Sequence, residues 1–367
     1  MNLKLAIVAP GEFFGGAERQ ILSLLDHLQN QSITCKLILL HDRELATQAR
    51  ALGADPYITG NGRRFDFQAL FDLRSVLQTY NVVHTHGYKA TILAALARPR
   101  KGFTLVKTEH GRVEVGRGSV LQRLTSNVYR KLENSLSRRV EATVVYVTEE
   151  LRLSCLTEHE GMASRIIHNG IDSSRISNLI RPEEFSKEYF NLVVLGRLEN
   201  VKGVQYAIDA MQDLDVPDKI KLHIVGDGPL YYTLTTLAKR GPREASIVFH
   251  GFRSDGARFA AHADLLLIPS QHEGLPYTLL EAVCAGTPVC ASNVGGLAEV
   301  LQHERTALLI PPANPLSIRS AILRLYNDDK FRLSLAATAK AELSERFSSK
   351  SMGDAYINLY RDLYLSN

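Results

Sequence analysis

The chain has 367 residues, 45% of them hydrophobic and 22% charged, with 43 Lys and Arg against 39 Asp and Glu. This is the composition of a soluble globular protein, and the length suits two cores better than one. The longest apolar runs, such as Leu265–Ile268, are far too short to cross a bilayer. The four cysteines (Cys35, Cys155, Cys284 and Cys290) form no CxxC pair and sit in apolar surroundings, which points to a reduced, cytoplasmic chain without disulfides or a zinc knuckle.

The net charge of +4 is unevenly spread. Residues 1–178 carry 23 basic and 17 acidic side chains, and Arg98–Arg139 alone carries 11 basic against 3 acidic. Within that run Leu121, Leu124, Val128, Leu132 and Leu136 fall at helical spacing. A basic amphipathic helix of this kind either rests on an anionic membrane or grips an acidic substrate; an ordinary solvated face is the alternative.

Along the chain, the apolar patch Leu5–Ala9 is too short for a signal-peptide core and reads as a first buried strand. Further strands are predicted at 34–40, 82–85, 104–108, 142–147 and 165–168. The pattern resumes at 191–195, 221–225, 246–250, 265–269, 288–291 and 307–310. Amphipathic helical stretches lie between them, at 16–28, 67–79 and 91–97 among others. Strand–helix alternation means parallel sheets covered on both faces. About twelve strands exceed one comfortable open sheet, so the fold class predicted is α/β with two doubly wound, Rossmann-like domains across a cleft. The cut is placed in the polar stretch around Pro182, giving domains 1–180 and 181–347 and a final helical segment 348–367.

Ligands of such sheets bind beyond the carboxyl ends of the strands. Gly15 and Gly16 follow the first strand and lead into a helix, where backbone N–H groups can meet an anion. HTHG (84–87) and TEHG (108–111) end two strands; His110 and His86 are candidates to touch a substrate hydroxyl. A metal site at His84 and His86 is discounted for want of a matching carboxylate set. In GRLENVKG (196–203), Arg197 leaves a strand and Lys202 opens the next helix, a forked donor and a point charge suited to a diphosphate. A salt bridge to Glu199 is the alternative for one of the two. VGDGPL (225–230) supplies Gly226, and Gly251–Arg253 offers a wall for a flat base. In EGLPYTLLEA, Glu273 precedes a helix and Glu281 lies inside it, with Pro276 in the first turn. The N–H groups of Gly274, Leu275 and Thr278 suit an anion at the helix start. Glu281 can accept two hydrogen bonds from a vicinal diol such as ribose. The string Asp213–Asp215 follows a helix rather than a strand and is not read as a metal clamp.

GGAER, NGID, GRLENVKG, VGDGPL, EGLPYTLLEA and GTPVCASNVGG, in that order, make the chain resemble the retaining glycosyltransferases of family 4 over essentially its whole length. The resemblance implies a GT-B fold, an acceptor-binding first domain, a nucleotide-sugar-binding second domain, and a terminal helix that crosses back to the first. It implies that Glu281 holds the ribose, Glu273 the transferred sugar, and Arg197 and Lys202 the departing diphosphate. Gly16 would add a backbone contact, and His110 would lie against the sugar near the reacting carbon. No cofactor or metal is implied. The donor is a UDP-, GDP- or ADP-sugar. The acceptor class implied is a glycan or lipid-linked precursor of a bacterial surface polysaccharide, such as lipopolysaccharide, or of a glycolipid. The basic run 98–139 would make contact with the inner face of the membrane, and no nucleic acid is involved. The alternatives are a nucleotide-sugar epimerase of GT-B architecture and a non-catalytic nucleotide-sugar-binding module.

Overall fold

The computed structural model describes residues 3–60, 67–99, 102–111, 120–213 and 215–366. They form two compact units, one of 1–170 with 349–367 and one of 171–348.

In the first unit the strands are β1 (Leu5–Ala9), β2 (Cys35–Leu39), β3 (Tyr57–Ile58), β4 (Val82–His86), β5 (Thr104–Glu109), β6 (Thr143–Tyr146) and β7 (Ser164–Ile166). The helices are α1 (Gly16–Asn30), α2 (Glu44–Ala51), α3 (Phe67–Leu77), α4 (Tyr88–Ala97), α5 (Val120–Arg139) and α6 (Glu149–Ser154). All strand pairs are parallel, in the order β3-β2-β1-β4-β5-β6-β7. Every residue of β1 is buried, as a parallel strand covered on both faces requires. One face packs Leu5, Ile7 and Val82 against Ile21, Leu24 and Leu28 of α1. The other packs Ala6, Val8, Val83 and Leu105 against Leu73 and Leu77 of α3 and Ala90 and Ala94 of α4.

The second unit holds β8 (Phe190–Leu195), β9 (Ile220–Val225), β10 (Ile247–Gly251), β11 (Leu265–Ile268), β12 (Val289–Ser292) and β13 (Leu308–Ile310). Its helices are α7 (Ser173–Ser177), α8 (Val204–Met211), α9 (Tyr231–Lys239), α10 (Ala257–His262), α11 (Tyr277–Ala285), α12 (Gly295–Val300), α13 (Pro315–Asn327) and α14 (Asp329–Leu343). The parallel order is β10-β9-β8-β11-β12-β13. The last helix, α15 (Ser349–Leu365), belongs to the first unit, where Met352, Tyr356 and Tyr360 join the core beside α1.

The division at Gly170/Ile171 replaces the expected boundary at 180. The Ile171 N–H donates to the Phe347 carbonyl at 2.9 Å, and Asp172 caps α7, whose Ile176 is buried. These contacts tie 171–180 to the second unit. The short β3 lay outside the predicted strands, since two residues present no period to read.

Candidate active site

Each sheet reverses its strand order once, at β1 beside β4 in the first unit and β8 beside β11 in the second. A doubly wound sheet binds ligand outside the strand ends at such a reversal. In the second unit the turns after β8 and β11 are fastened together there. The Gln271 N–H donates to the Val201 carbonyl at 2.7 Å, and the Gln271 side chain donates to the Asn200 carbonyl at 2.9 Å. Gly203 stands in the left-handed region at φ 67°, and a Cβ on it would lie 2.0 Å from the Pro269 carbonyl oxygen. Asn200–Lys202 form a single 3-10 turn and α8 starts only at Val204, so Lys202 precedes the helix instead of opening it. The left-handed Gly203 forces this break.

The fastened turns bring Lys202 to Glu273. Lys202 Nζ lies 2.6 Å from Glu273 Oε1, and Ser270 Oγ donates to the same oxygen at 2.8 Å. Glu273 is 8% exposed, and its own carbonyl accepts from the Gly296 N–H at 3.0 Å. A carboxylate this buried requires such partners. Gly274 and Leu275 follow it, Pro276 is the extended N-cap rather than a first-turn residue, and Thr278 lies in the first turn of α11. Glu281 is in that helix, 3% exposed among the buried Leu279, Leu280, Ala282 and Val283.

Gly203→Ala is expected to lower stability by at least about 2 kcal/mol, because the left-handed backbone and the overlap with Pro269 both oppose a Cβ. Urea denaturation of the variant checks this; an unchanged midpoint and slope would contradict the close approach.

The other expected donor residues are placed differently. The Arg197 side chain is half exposed, and its Nε lies 2.6 Å from Glu199 Oε1, the salt bridge weighed as the alternative for one of the two cations. Gly226 donates its N–H to the Gly251 carbonyl at 2.8 Å, and a Cβ there would lie 1.9 Å from the Gly196 carbonyl oxygen. Its requirement is close packing of the β8 and β9 ends, not a free amide. Arg253 is fully engaged: Nε and Nη2 donate to Asp255 at 2.8 and 3.0 Å, and Nη1 to Glu184 at 2.9 Å. The structure therefore makes it a bracing cation rather than an open wall for a base. Asp213 pairs with Arg319 and accepts from the Asp215 N–H, as a turn residue does.

In the first unit Gly15 caps α1 in an extended conformation and Gly16 is the first helical residue. The Gly15 N–H already donates to Glu18 Oε2 at 2.9 Å, leaving Gly16 as the candidate for a ligand contact. His84 and His86 lie at the end of β4, Thr108 stands opposite His86 near the end of β5, and His110 follows that strand. His84 Nδ1 lies 2.7 Å from the Tyr360 hydroxyl and its Nε2 2.7 Å from Thr108 Oγ1, which is 3.0 Å from the Tyr356 hydroxyl. His86 Nδ1 lies 2.9 Å from His110 Nε2. Burial holds His84 down to about 3, His110 to about 4 and His86 well below its ordinary value, so all three are neutral at pH 7.

On the opposite face of the sheet, Lys107 is buried against Glu109 at 2.7 Å and Glu133 of α5 at 3.0 Å, with His159 at 3.3 Å. Burial pulls the Lys107 ammonium down, but the two carboxylates overcome it and its pKa is raised. Sequence reading missed this cluster; the signal was a lysine inside the apolar strand TLVKTE. It missed Ser270 as well, which nothing but its place at a strand end distinguished.

Of the basic run, positions 100–101 and 112–119 and the side chains of Leu121 and Leu124 lie outside the described residues. On α5, Leu136 packs toward the core, whereas Val128 and Leu132 are 63% and 43% exposed. Arg130 reaches Glu158 at 3.1 Å, and Lys131 is exposed.

Two doubly wound parallel-sheet units with this strand order define the GT-B class of fold. Residues 14–175 match the family model described as Glycosyltransferase Family 4, and residues 176–342 match that described as Glycosyl transferases group 1. The chain is a glycosyltransferase, family 4-like and of GT-B fold. It is 28% identical to an uncharacterized glycosyltransferase of Methanocaldococcus jannaschii over 77% of this chain and 75% of that one. It is 25% identical to the UDP-Gal:alpha-D-GlcNAc-diphosphoundecaprenol alpha-1,3-galactosyltransferase of Escherichia coli, over 100% and 98%. Among solved structures, Anabaena HepE in complex with UDP superposes with a TM-score of 0.84 at 20% identity, covering 98% of this chain and 100% of that one. No helix among the described residues is long and apolar enough to cross a membrane.

Proposed function

We propose that this protein transfers a sugar, with retention and without a metal, from a nucleotide sugar to a glycan or lipid-linked acceptor in bacterial surface-polysaccharide or glycolipid synthesis. The observation that carries the reading is the Lys202–Glu273–Ser270 constellation at the β8/β11 reversal, with Glu281 buried on the helix that follows. The HepE complexes with UDP and UDP-glucose support a nucleotide-sugar donor. The diphosphoundecaprenol-linked sugar in the name of the Escherichia coli relative supports a lipid-linked acceptor.

In this reading Glu281 accepts from the ribose diol and Glu273 from hydroxyls of the transferred sugar. Lys202 and Arg197 face the diphosphate, with the N–H groups at the start of α11 beside it. As the glycosidic bond breaks, negative charge gathers on the diphosphate and positive charge on the sugar ring. Prepositioned cations and N–H groups favour that separation more than they favour the ground state. Both cations have carboxylate neighbours, so each is held in place without being buried alone.

Incubation with UDP-, GDP- and ADP-sugars and a polyprenyl-diphosphate-linked acceptor tests the reading. The expected result is a product of the donor's own anomeric configuration, formed at the same rate in EDTA. Inversion at the anomeric carbon, or turnover lost in EDTA and restored by divalent ions, would overturn it. An epimerised donor formed without acceptor would install the isomerase instead.

The exposed Val128 and Leu132 beside Lys131 support contact of α5 with an anionic membrane. Joint replacement of Arg130 and Lys131 by Glu is expected to reduce sedimentation with phosphatidylglycerol-containing vesicles. Unchanged partitioning would leave the helix an ordinary solvated face.

A further inference from the structure

We infer that Arg43 and Lys89 form a diphosphate subsite in the first unit, which takes the diphosphate of a lipid-linked acceptor in exchange for the carboxylate of Glu12. This subsite deepens the proposed function and rests on its diphosphate-bearing, lipid-linked acceptor.

The first sheet reverses its strand order at β1 beside β4, the place where a doubly wound sheet takes a ligand. Three strand ends are drawn together there. After β1, Gly11 stands at φ 65°, and a Cβ on it would lie 3.1 Å from the carbonyl oxygen of His41, which follows β2. After β4, Gly87 stands at φ 80°, and a Cβ on it would meet Pro10 at 3.5 Å. The loop after β1 is thus packed between its two neighbours, and Glu12 belongs to that loop.

Two cations from the flanking elements converge on Glu12. Arg43 Nη1 donates to its carbonyl oxygen at 3.1 Å. Lys89 Nζ, from the first turn of α4, donates to its Oε2 at 2.8 Å. The acids that flank Arg43 in the chain are engaged elsewhere. Asp42 accepts from Arg50 at 2.8 and 3.0 Å, and Glu44 accepts from Gln48 at 2.7 Å. Burial holds His41 below its ordinary value, so it adds no full charge at pH 7. Two cations therefore face one carboxylate. The Arg43 side chain is exposed, and its bond to the Glu12 carbonyl is the one side-chain hydrogen bond it makes among the described residues.

Glu12 is held loosely enough to be exchanged. The Lys89 and Glu12 side chains are 36% and 31% exposed, and an ion pair in that setting adds little to stability. A diphosphate carries more than one negative charge and offers oxygens to the forked guanidinium and the ammonium together. It satisfies both cations, whereas the Glu12 carboxylate meets only one. A neutral sugar hydroxyl gains too little to displace a carboxylate from an ammonium. The charge balance at this reversal thus selects the anionic part of the acceptor.

Transfer assays on the full-length protein, in detergent micelles free of phospholipid, compare a polyprenyl-diphosphate-linked sugar with the neutral alkyl glycoside of the same sugar. Lys89→Ala and Arg43→Ala are each expected to raise KM for the diphosphate-linked acceptor about tenfold, with KM for donor and for the glycoside within about twofold of wild type. Glu12→Gln removes the competing carboxylate and should lower KM for the diphosphate-linked acceptor. A rise in KM shared equally by both acceptors, or confined to the donor, overturns the subsite, and so does an unchanged KM in both cation variants. Titration calorimetry with inorganic diphosphate tests it without turnover, in Lys202→Ala protein so that the cation of the second unit is absent. Adding Lys89→Ala should weaken binding about tenfold. Adding Lys4→Ala, an exposed lysine before β1 at the opposite end of the sheet, should leave it unchanged. Equal weakening by the two marks general attraction and overturns the subsite. Loss of sedimentation with phosphatidylglycerol-containing vesicles in Lys89→Ala, with acceptor KM unchanged, would assign the cations to phospholipid headgroups and overturn it as well. If diphosphate binds as expected and no nucleotide sugar supports transfer, the anion subsite stands and the proposed function alone fails.

Discussion

Lys202→Ala is expected to lower kcat by about a hundredfold or more while the protein remains folded, the scale seen when one preorganised electrostatic contact to developing charge is removed. Lys202 is placed by a device with little freedom: the left-handed Gly203, the Gln271 bonds and the β11–α11 turn together set its Nζ on Glu273. Its loss removes the positive charge proposed to meet the leaving diphosphate. It also leaves Glu273 held by the Ser270 hydroxyl without the ammonium, so the carboxylate proposed to face the sugar loses orientation at the same time. Lys202→Arg retains charge but not the compact ammonium and should recover little. The effects of Lys202→Ala and Glu273→Gln should be far from additive, since each disturbs the other's geometry. Steady-state kinetics on the two single variants and the double variant, with circular dichroism as the folding control, check this. Near-wild-type kcat in Lys202→Ala would remove the cation from the mechanism.

Stability is expected to fall as the pH drops from about 6.5 toward 5. His84 is buried with a pKa of about 3, and burial drives His86 well below its ordinary value. In the unfolded chain both titrate near 6.5. Below that pH the unfolded state binds protons that the folded state refuses, so stability is complete above 6.5 and declines as the pH falls. At pH 5 the decline from His84 alone is about 2 kcal/mol, a large part of the margin of an ordinary domain, and His86 adds to it in the same direction. Urea midpoints at pH 7 and pH 5 measure it. His84→Gln, which has no proton to take up, should show a smaller difference between the two pH values than wild type does. Equal midpoints at both pH values in wild type would mean that the histidines are not held neutral.

Much of this architecture was legible because parallel strands buried on both faces leave short β-branched runs between amphipathic helices. Twelve of the strands lie close to their predicted spans, and glycines and charges drew attention to the ends of β8 and β11, where Lys202 meets Glu273. What sequence withheld is pairing between distant segments. Arg253 looks available until Glu184, a loop residue far upstream, closes on it. Ser270 becomes informative only once Glu273 is seen to accept from it. His86 and His110 are an ordinary pair of strand-end histidines until β5, paired beside β4 with Thr108 opposite His86, carries His110 to the His86 ring. The boundary at Gly170 depends likewise on a hydrogen bond from Ile171 to Phe347, which no local composition announces.

The most direct test is a crystal structure with the nucleotide sugar that most raises the melting temperature. The diphosphate should lie within hydrogen-bonding distance of Lys202 Nζ, with the ribose hydroxyls on Glu281 and the sugar on Glu273. A donor bound elsewhere, or a diphosphate held through a divalent ion with Lys202 turned away, would contradict the role given to the β8/β11 reversal.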